Sequence, residues 1–230
     1  MAANSSSLPV PQVSIEPEHK ALFTSINTFV HTYMSAYDNS HDYHHILRVL
    51  SNANRILQAE LKSNPSAKYD TSALFLATLL HDVGDRKYLK PGKDVENQIH
   101  QILLQHGADG DLAKKVQAIV KHVSYTHETR NPASVTATLA QYPELAIVQD
   151  ADRLDAIGAV GVARCFSFGA AKFPDKPMSR GIEHFEEKLY KLAGMMKTET
   201  GREMAQRRKR VLEEFAKEFE GEAELSFGFV

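Results

Sequence analysis

Three short clusters of histidine and aspartate carry the chemistry this sequence could perform: HDYHHILRV at 41–49, LLHDVGDRKYL at 79–89 and VQDADRLDAIG at 148–158. His81 and Asp82 stand at the end of TSALFLATLLHD, whose preceding residues are apolar almost all round. An ionised aspartate there is doubly disfavoured, by burial and by the negative end of the helix dipole. A bound cation relieves both penalties. Two imidazoles and two carboxylates, drawn from the three clusters, form a mixed nitrogen and oxygen donor set suited to a divalent ion. Such an ion, with open positions, polarises phosphate and lowers the pKa of water. The bland alternative gives the histidines to packing and Asp150, Asp152 and Asp155 to caps or salt bridges. Composition does not choose among the neighbouring histidines and aspartates.

The elements that must position these clusters read as helices. Leu22, Ile26, Phe29 and Val30 form one stripe within 18–34, and Ile46, Val49, Ala53, Ile56 and Leu57 form another within 42–61. Asp70 or Thr71 caps the apolar helix that ends in the His-Asp pair, and Gly84 permits a sharp departure after it. Further helices are expected at 94–106, 110–122, 143–163 and 181–218, the last divided near Thr200–Gly201. Pro91–Gly92, Gly107–Gly110 and Phe173–Pro177 mark loops, and 166–181 is the most irregular interior stretch. The alternation of half-buried strands is nearly absent. The expectation is an all-α, single-domain helical bundle over 18–222, with a flexible leader at 1–17 and a short tail at 223–230.

Composition narrows the function. The 230 residues are 43% hydrophobic and 24% charged, with 27 basic and 29 acidic side chains, so no bulk field draws the chain to nucleic acid or anionic lipid. The basic run at 207–210 is followed by Glu213, Glu214, Glu218 and Glu220 and reads as a solvated helical face. A single cysteine, Cys165, excludes an intrachain disulfide framework and reads as a buried small side chain. The first eighteen residues lack the basic and apolar regions of a secretory signal. Neither a nucleic-acid polymer nor a membrane is expected as partner; a homodimer is left open, and cytoplasm is the default location, with the nucleus open.

Taken together, the clusters resemble the HD-domain metal-dependent phosphohydrolase superfamily, whose pattern is H…HD…D. His45, followed by Ile46-Leu47-Arg48-Val49, matches the first ligand, and His81 and Asp82 match the central doublet. Asp152, in Ala151-Asp152-Arg153-Leu154, matches the final ligand better than Asp150 or Asp155 does. The segments LLHD-x-x-DRK, QDADRLDAIG and HFEEKLYKLAGMMKTETGREMAQRR resemble more closely the small YpgQ/YedJ-like branch, from about residue 20 to 220. That resemblance implies a divalent ion (Mn, Mg, Co, Fe, Ni or Zn) on His45, His81, Asp82 and Asp152. It also implies nucleotide pyrophosphohydrolase activity, releasing pyrophosphate from nucleoside triphosphates.

Around that centre, Asp85 lies three residues after Asp82 and is the candidate general acid or base, with a salt bridge to Arg86 or Lys87 as its plainer role. Arg86 and Lys87, together with Arg48 and Lys188, are candidate partners of phosphate oxygens, although Arg48 suits an internal carboxylate equally. His122 is a candidate substrate contact or a satisfied helix-end histidine. The expected substrate is a small phosphorylated molecule, a nucleotide first. A 5′-nucleotidase or other phosphomonoesterase, an iron-dependent oxygenase and a noncatalytic nucleotide-binding module are the competing functions.

Overall fold

A computed structural model describes residues 8–84 and 97–228. Every regular element among the described residues is helical. The chain enters by a 3₁₀ turn, Pro17–His19, and α1 (Lys20–Met34), followed by α2 (Tyr43–Ser63) and α3 (Thr71–Leu80). After residue 96 come α4 (Gln98–Gln105), α5 (Gly110–Lys121), α6 (Tyr125–Arg130) and α7 (Pro132–Gln141). Then follow α8 (Glu144–Asp155), α9 (Gly158–Lys172) and α10 (Ser179–His184). The last rod runs on through a π turn (Phe185–Leu189), α11 (Tyr190–Leu192) and a 3₁₀ turn (Ala193–Met195), and α12 (Glu199–Ala223) closes the bundle.

α3 is the hub. Nine of its ten residues, Ser72 to Leu80, are buried, and it packs on α1, α2, α5 and α8. Complete burial of each Leu or Phe stabilises by about 1.5–3 kcal/mol, so packing rather than helix propensity fixes this short element. Asp70 caps it as expected, accepting from Ala73 N at 2.8 Å. α2 and α8 make the most extensive helix pairing, which brings the first and third polar clusters together over the end of α3.

The segment 143–163 is two helices rather than one. α8 ends at Asp155, and Gly158 starts α9 with φ +77°, a conformation that side chains with a Cβ rarely adopt. The two helices meet at 69°. The division of the last segment also moves upstream of Thr200–Gly201: Met196 and Thr198 are extended, and the Thr198 side chain caps α12 by accepting from Gly201 N at 2.9 Å. Helical structure continues to Lys172 within the stretch expected to be irregular, and α6 and α7 fill 125–141, where no helix is anticipated from the sequence. The Pro91–Gly92 loop lies outside the described residues.

Residues 8–16 run along the bundle, with Val10, Val13 and Ile15 packed on the core and Glu16 accepting from Thr71 Oγ1 at 2.9 Å. The basic run is only partly solvated. Arg208 turns inward to the Leu154 carbonyl and to Asn52 Oδ1, the latter at 3.1 Å, tying α12 to α8 and α2. Cys165 is half-buried, with Sγ 3.7 Å from the Gly181 carbonyl. Among the described residues no single helix is long and apolar enough to cross a membrane.

Candidate metal centre

Each candidate ligand is held by its own local device. Asp42 caps α2 and accepts from His45 N at 3.0 Å, fixing His45 in the first turn. His45 is fully buried, and its Nδ1–H donates to Asp155 Oδ2 at 2.7 Å. His81 follows the last residue of α3 and donates Nδ1–H to the Thr78 carbonyl at 2.8 Å. Gly84 then turns the chain away, its N–H donating to Tyr33 OH. Both imidazoles therefore carry their proton on Nδ1, and both direct the Nε2 lone pair to one place.

That place needs a positive charge. The two Nε2 atoms lie 3.1 Å apart. Asp82 Oδ2 is 3.1 Å from His45 Nε2 and 3.6 Å from His81 Nε2, and Asp152 Oδ1 is 3.7 Å and 3.6 Å from the same atoms. Facing lone pairs and carboxylates repel unless a proton or a cation lies between them. Asp82 Oδ2 is buried with no hydrogen-bond partner, an arrangement that costs free energy when no ion is bound. Donors about 2.0–2.2 Å from a divalent ion stand roughly 3 Å from one another, so the spacing fits. His45, His81 and Asp152 converge as a metal-binding group, and Asp82 joins them through the distances above.

The surrounding charges are graded. Burial and the nearby Arg164 would lower the His45 pKa, but the hydrogen bond to Asp155 and the facing charge of Asp82 outweigh them and raise it. Burial pushes the Asp82 carboxyl up, yet the facing His81 and His45 rings hold it well below the usual range. Asp155, also buried, is held low by His45 and Arg48 and by the charge of Arg164. Arg48 donates Nε–H to Asp155 Oδ1 at 2.8 Å and a second N–H to Oδ2 at 3.1 Å, and Arg164 approaches Oδ2 at 3.1 Å.

The three aspartates of α8 thus divide their work. Asp152 faces the donor cluster, and Asp155 orients His45 from behind. Asp150 looks the other way, accepting from Lys197 N at 2.8 Å and from Thr198 N at 2.8 Å, where it anchors the start of α12.

The structure brings His45, His81, Asp82 and Asp152 together. Arg48 reaches the internal carboxylate, with its side chain 35% exposed, so its buried edge serves Asp155 and its outer edge remains open to solvent. His122 has both ring nitrogens engaged: Nδ1–H donates to the Ala118 carbonyl at 2.7 Å, and Nε2 accepts from Ser134 Oγ at 2.8 Å. Lys188 lies on the π turn with Nζ 5.4 Å from the centre of the Tyr125 ring. Asp85, Arg86 and Lys87 lie outside the described residues. Sequence reasoning missed Asp155 as the orienting carboxylate, although it stood among the alternatives, and missed Arg164, for which no local signal exists.

A His-His-Asp-Asp cluster with buried histidines and half-buried aspartates, over the end of an apolar central helix in an all-helical domain, defines a class. The chain belongs to the HD domain family, whose model matches residues 42–157; HD domains bind divalent metals. It is 32% identical over 202 residues to YpgQ of Bacillus subtilis strain 168, described as uncharacterized, covering 85% of this chain and 90% of that one. The crystal structure of B. subtilis YpgQ in complex with ADP superposes with a TM-score of 0.64 at 28% identity, over 86% of this chain and 93% of that one. A crystal structure described as an HD-superfamily hydrolase, from Bacillus thuringiensis, gives a TM-score of 0.62 at 29% identity, over 87% and 96% of the two chains.

Proposed function

We propose that this chain is a divalent-metal-dependent phosphohydrolase that converts a nucleoside triphosphate to the monophosphate and pyrophosphate. The observation that carries the reading is the pair of imidazole Nε2 atoms 3.1 Å apart, flanked by the carboxylates of Asp82 and Asp152. Nothing but a cation, or added protons, relieves that arrangement. The ADP bound to YpgQ supports a nucleotide as the substrate class.

In this reading His45, His81, Asp82 and Asp152 hold the ion, and Asp155 keeps His45 in the tautomer that leaves Nε2 as a donor to metal. The ion would supply Lewis acidity toward phosphate oxygens and lower the pKa of a water. Water attacks the α-phosphorus, the bond to the bridging oxygen breaks, and pyrophosphate leaves with that oxygen. Asp85 is assigned the proton of the attacking water. Arg86, Lys87, Lys188 and the outer edge of Arg48 are assigned to the phosphate charges. His122, with both nitrogens engaged, is assigned to the wall of the site, where substrate contact requires it to exchange its Ser134 bond.

The test incubates metal-stripped protein with nucleoside tri- and monophosphates and each divalent ion in turn, with products identified by mass. Monophosphate and pyrophosphate, lost in a folded Asp82→Asn variant, are the expected result. Nucleoside and phosphate would replace this reading with a nucleotidase. Oxygen-dependent products with iron would replace it with an oxygenase, and binding without turnover with a noncatalytic module.

A further inference from the structure

His45 is oriented from two directions, through its backbone and through its ring, and one side chain from another helix holds both supports. Asp42 caps α2 and accepts from His45 N. Two residues earlier stands Ser40, fully buried, its N–H donating to Asp38 Oδ1 at 3.0 Å. The Ser40 carbonyl accepts Nε–H of Arg164 at 2.7 Å. The same guanidinium reaches Asp155 Oδ2 at 3.1 Å, and that oxygen is the one that accepts from His45 Nδ1. Arg164 therefore grips the entry turn of α2 and the carboxylate at the end of α8 together.

Arg48 does not duplicate this grip. It stands three residues after His45 on α2 and moves with that helix. Arg164 belongs to α9, and its side chain, 13% exposed, is turned inward. The start of α9 is fixed against the end of α8: a Cβ at Gly161 would collide with the Ala156 carbonyl, so the two backbones touch about one turn before Arg164. A rigid corner thus carries the guanidinium to two separate acceptors, one on each side of His45.

We propose that Arg164 is a positioning residue for the metal centre, holding His45 on α2 in register with Asp152 on α8. The inference rests on the metal-dependent reading above. A charge role and a positioning role predict opposite signs. A guanidinium near a cation site repels the ion, so if charge were its whole effect, removing it would tighten binding. Losing a group that orients a ligand weakens binding instead.

The experiment measures Mn²⁺ affinity by calorimetry, the visible spectrum of the Co²⁺-loaded protein and Tm. It compares wild type, Arg164→Gln, Arg164→Lys, Asp155→Asn, the double variant Arg164→Gln with Asp155→Asn, and the control Arg208→Gln. Arg208 is a second inward arginine between α8 and α2, bonded to the Leu154 carbonyl and Asn52. The expected result is Mn²⁺ affinity about tenfold weaker in Arg164→Gln, with a shifted Co²⁺ spectrum. Arg164→Lys keeps the charge but spans only one of the two acceptors, and should fall between. The double variant should lose less than the product of the single losses, because both act on His45. Arg208→Gln should lower Tm without weakening Mn²⁺ or shifting the spectrum. Affinity unchanged or tightened in Arg164→Gln overturns the proposal. Full affinity in Arg164→Lys overturns the double grip, and that variant decides the matter alone if Arg164→Gln does not fold. An equal loss of affinity in Arg208→Gln assigns the effect to general stability and also overturns it. Wild type that binds neither ion refutes the metal centre and the proposal with it; wild type that binds them without hydrolysing nucleotides refutes the activity and leaves the same variants to test Arg164.

Discussion

Asp155 and His45 form the tightest link between the walls of the centre and its donor atoms: Oδ2 lies 2.7 Å from Nδ1, and both side chains are buried. The carboxylate determines which nitrogen of His45 bears the proton. Arg48 and Arg164 hold the carboxylate in place.

Replacing Asp155 with Asn keeps the shape and removes the charge. The expected loss of divalent-metal affinity is about ten- to a hundredfold, and Tm should fall because two guanidinium groups lose their counter-charge. Calorimetric titration with Mn²⁺ checks the first and thermal melting the second. An affinity within twofold of wild type would show that His45 is oriented by other means.

Asp82→Asn should separate metal binding from folding. The buried Oδ2 without a partner destabilises the metal-free protein, so the amide variant should melt no lower than metal-free wild type. Adding Mn²⁺ at about a hundred times its Kd should stabilise wild type by about 2.7 kcal/mol, and the variant far less. A full Mn²⁺-induced rise in Tm in the variant would remove Asp82 from the ligand set.

A methyl group at Gly201 would collide with Asp150 Oδ2 and meet Thr198 Oγ1 at 2.7 Å, and both of those side chains are buried. Gly201→Ala should therefore destabilise by about 1–3 kcal/mol through overpacking, read as a lower urea midpoint. An unchanged midpoint would mean that the start of α12 shifts without penalty.

Glu128 supplies a pH signature away from the centre. Burial raises its pKa, but Lys197 and Arg153 outweigh burial and bring it below 4.5. Because the folded value is the lower one, the stabilisation is complete above the unfolded value and disappears as pH falls through the folded one. Glu128→Gln should lower Tm at neutral pH and flatten the loss of Tm between about pH 5 and pH 3. Parallel curves for the two proteins would contradict this.

Much of this was readable in the chain because it rests on local pattern. The apolar run at 71–80 could only be a buried helix, Asp70 was its natural cap, and the family pattern singled out His45, His81, Asp82 and Asp152. What escaped depends on contacts distant in sequence. The 143–163 segment has continuous helical periodicity, and the extended Ile157 with the positive φ of Gly158 divides it. α6 is short and polar, held by its Ser124 cap and by packing on α7, and α7, short and built mostly of small residues, packs on α8. Arg48 could be read toward phosphate or toward a carboxylate, and Asp155, 107 residues away, decides for the carboxylate. Arg208 sat in a run that reads as solvent-facing, yet the carbonyl end of α8 draws it inward.

The separation of the ligands along the chain has a consequence for how the molecule forms. His45 and His81 are 36 residues apart, and Asp152 follows only after four further helices among the described residues. The donor set exists only once α2, α3 and α8 have docked, so an ion has nothing complete to bind in the unfolded chain or early in folding. Stabilisation that arrives after the rate-limiting step acts on the escape from the native state and not on the approach to it. A bound ion should leave the refolding rate nearly untouched and slow unfolding, acting as a latch on the finished bundle.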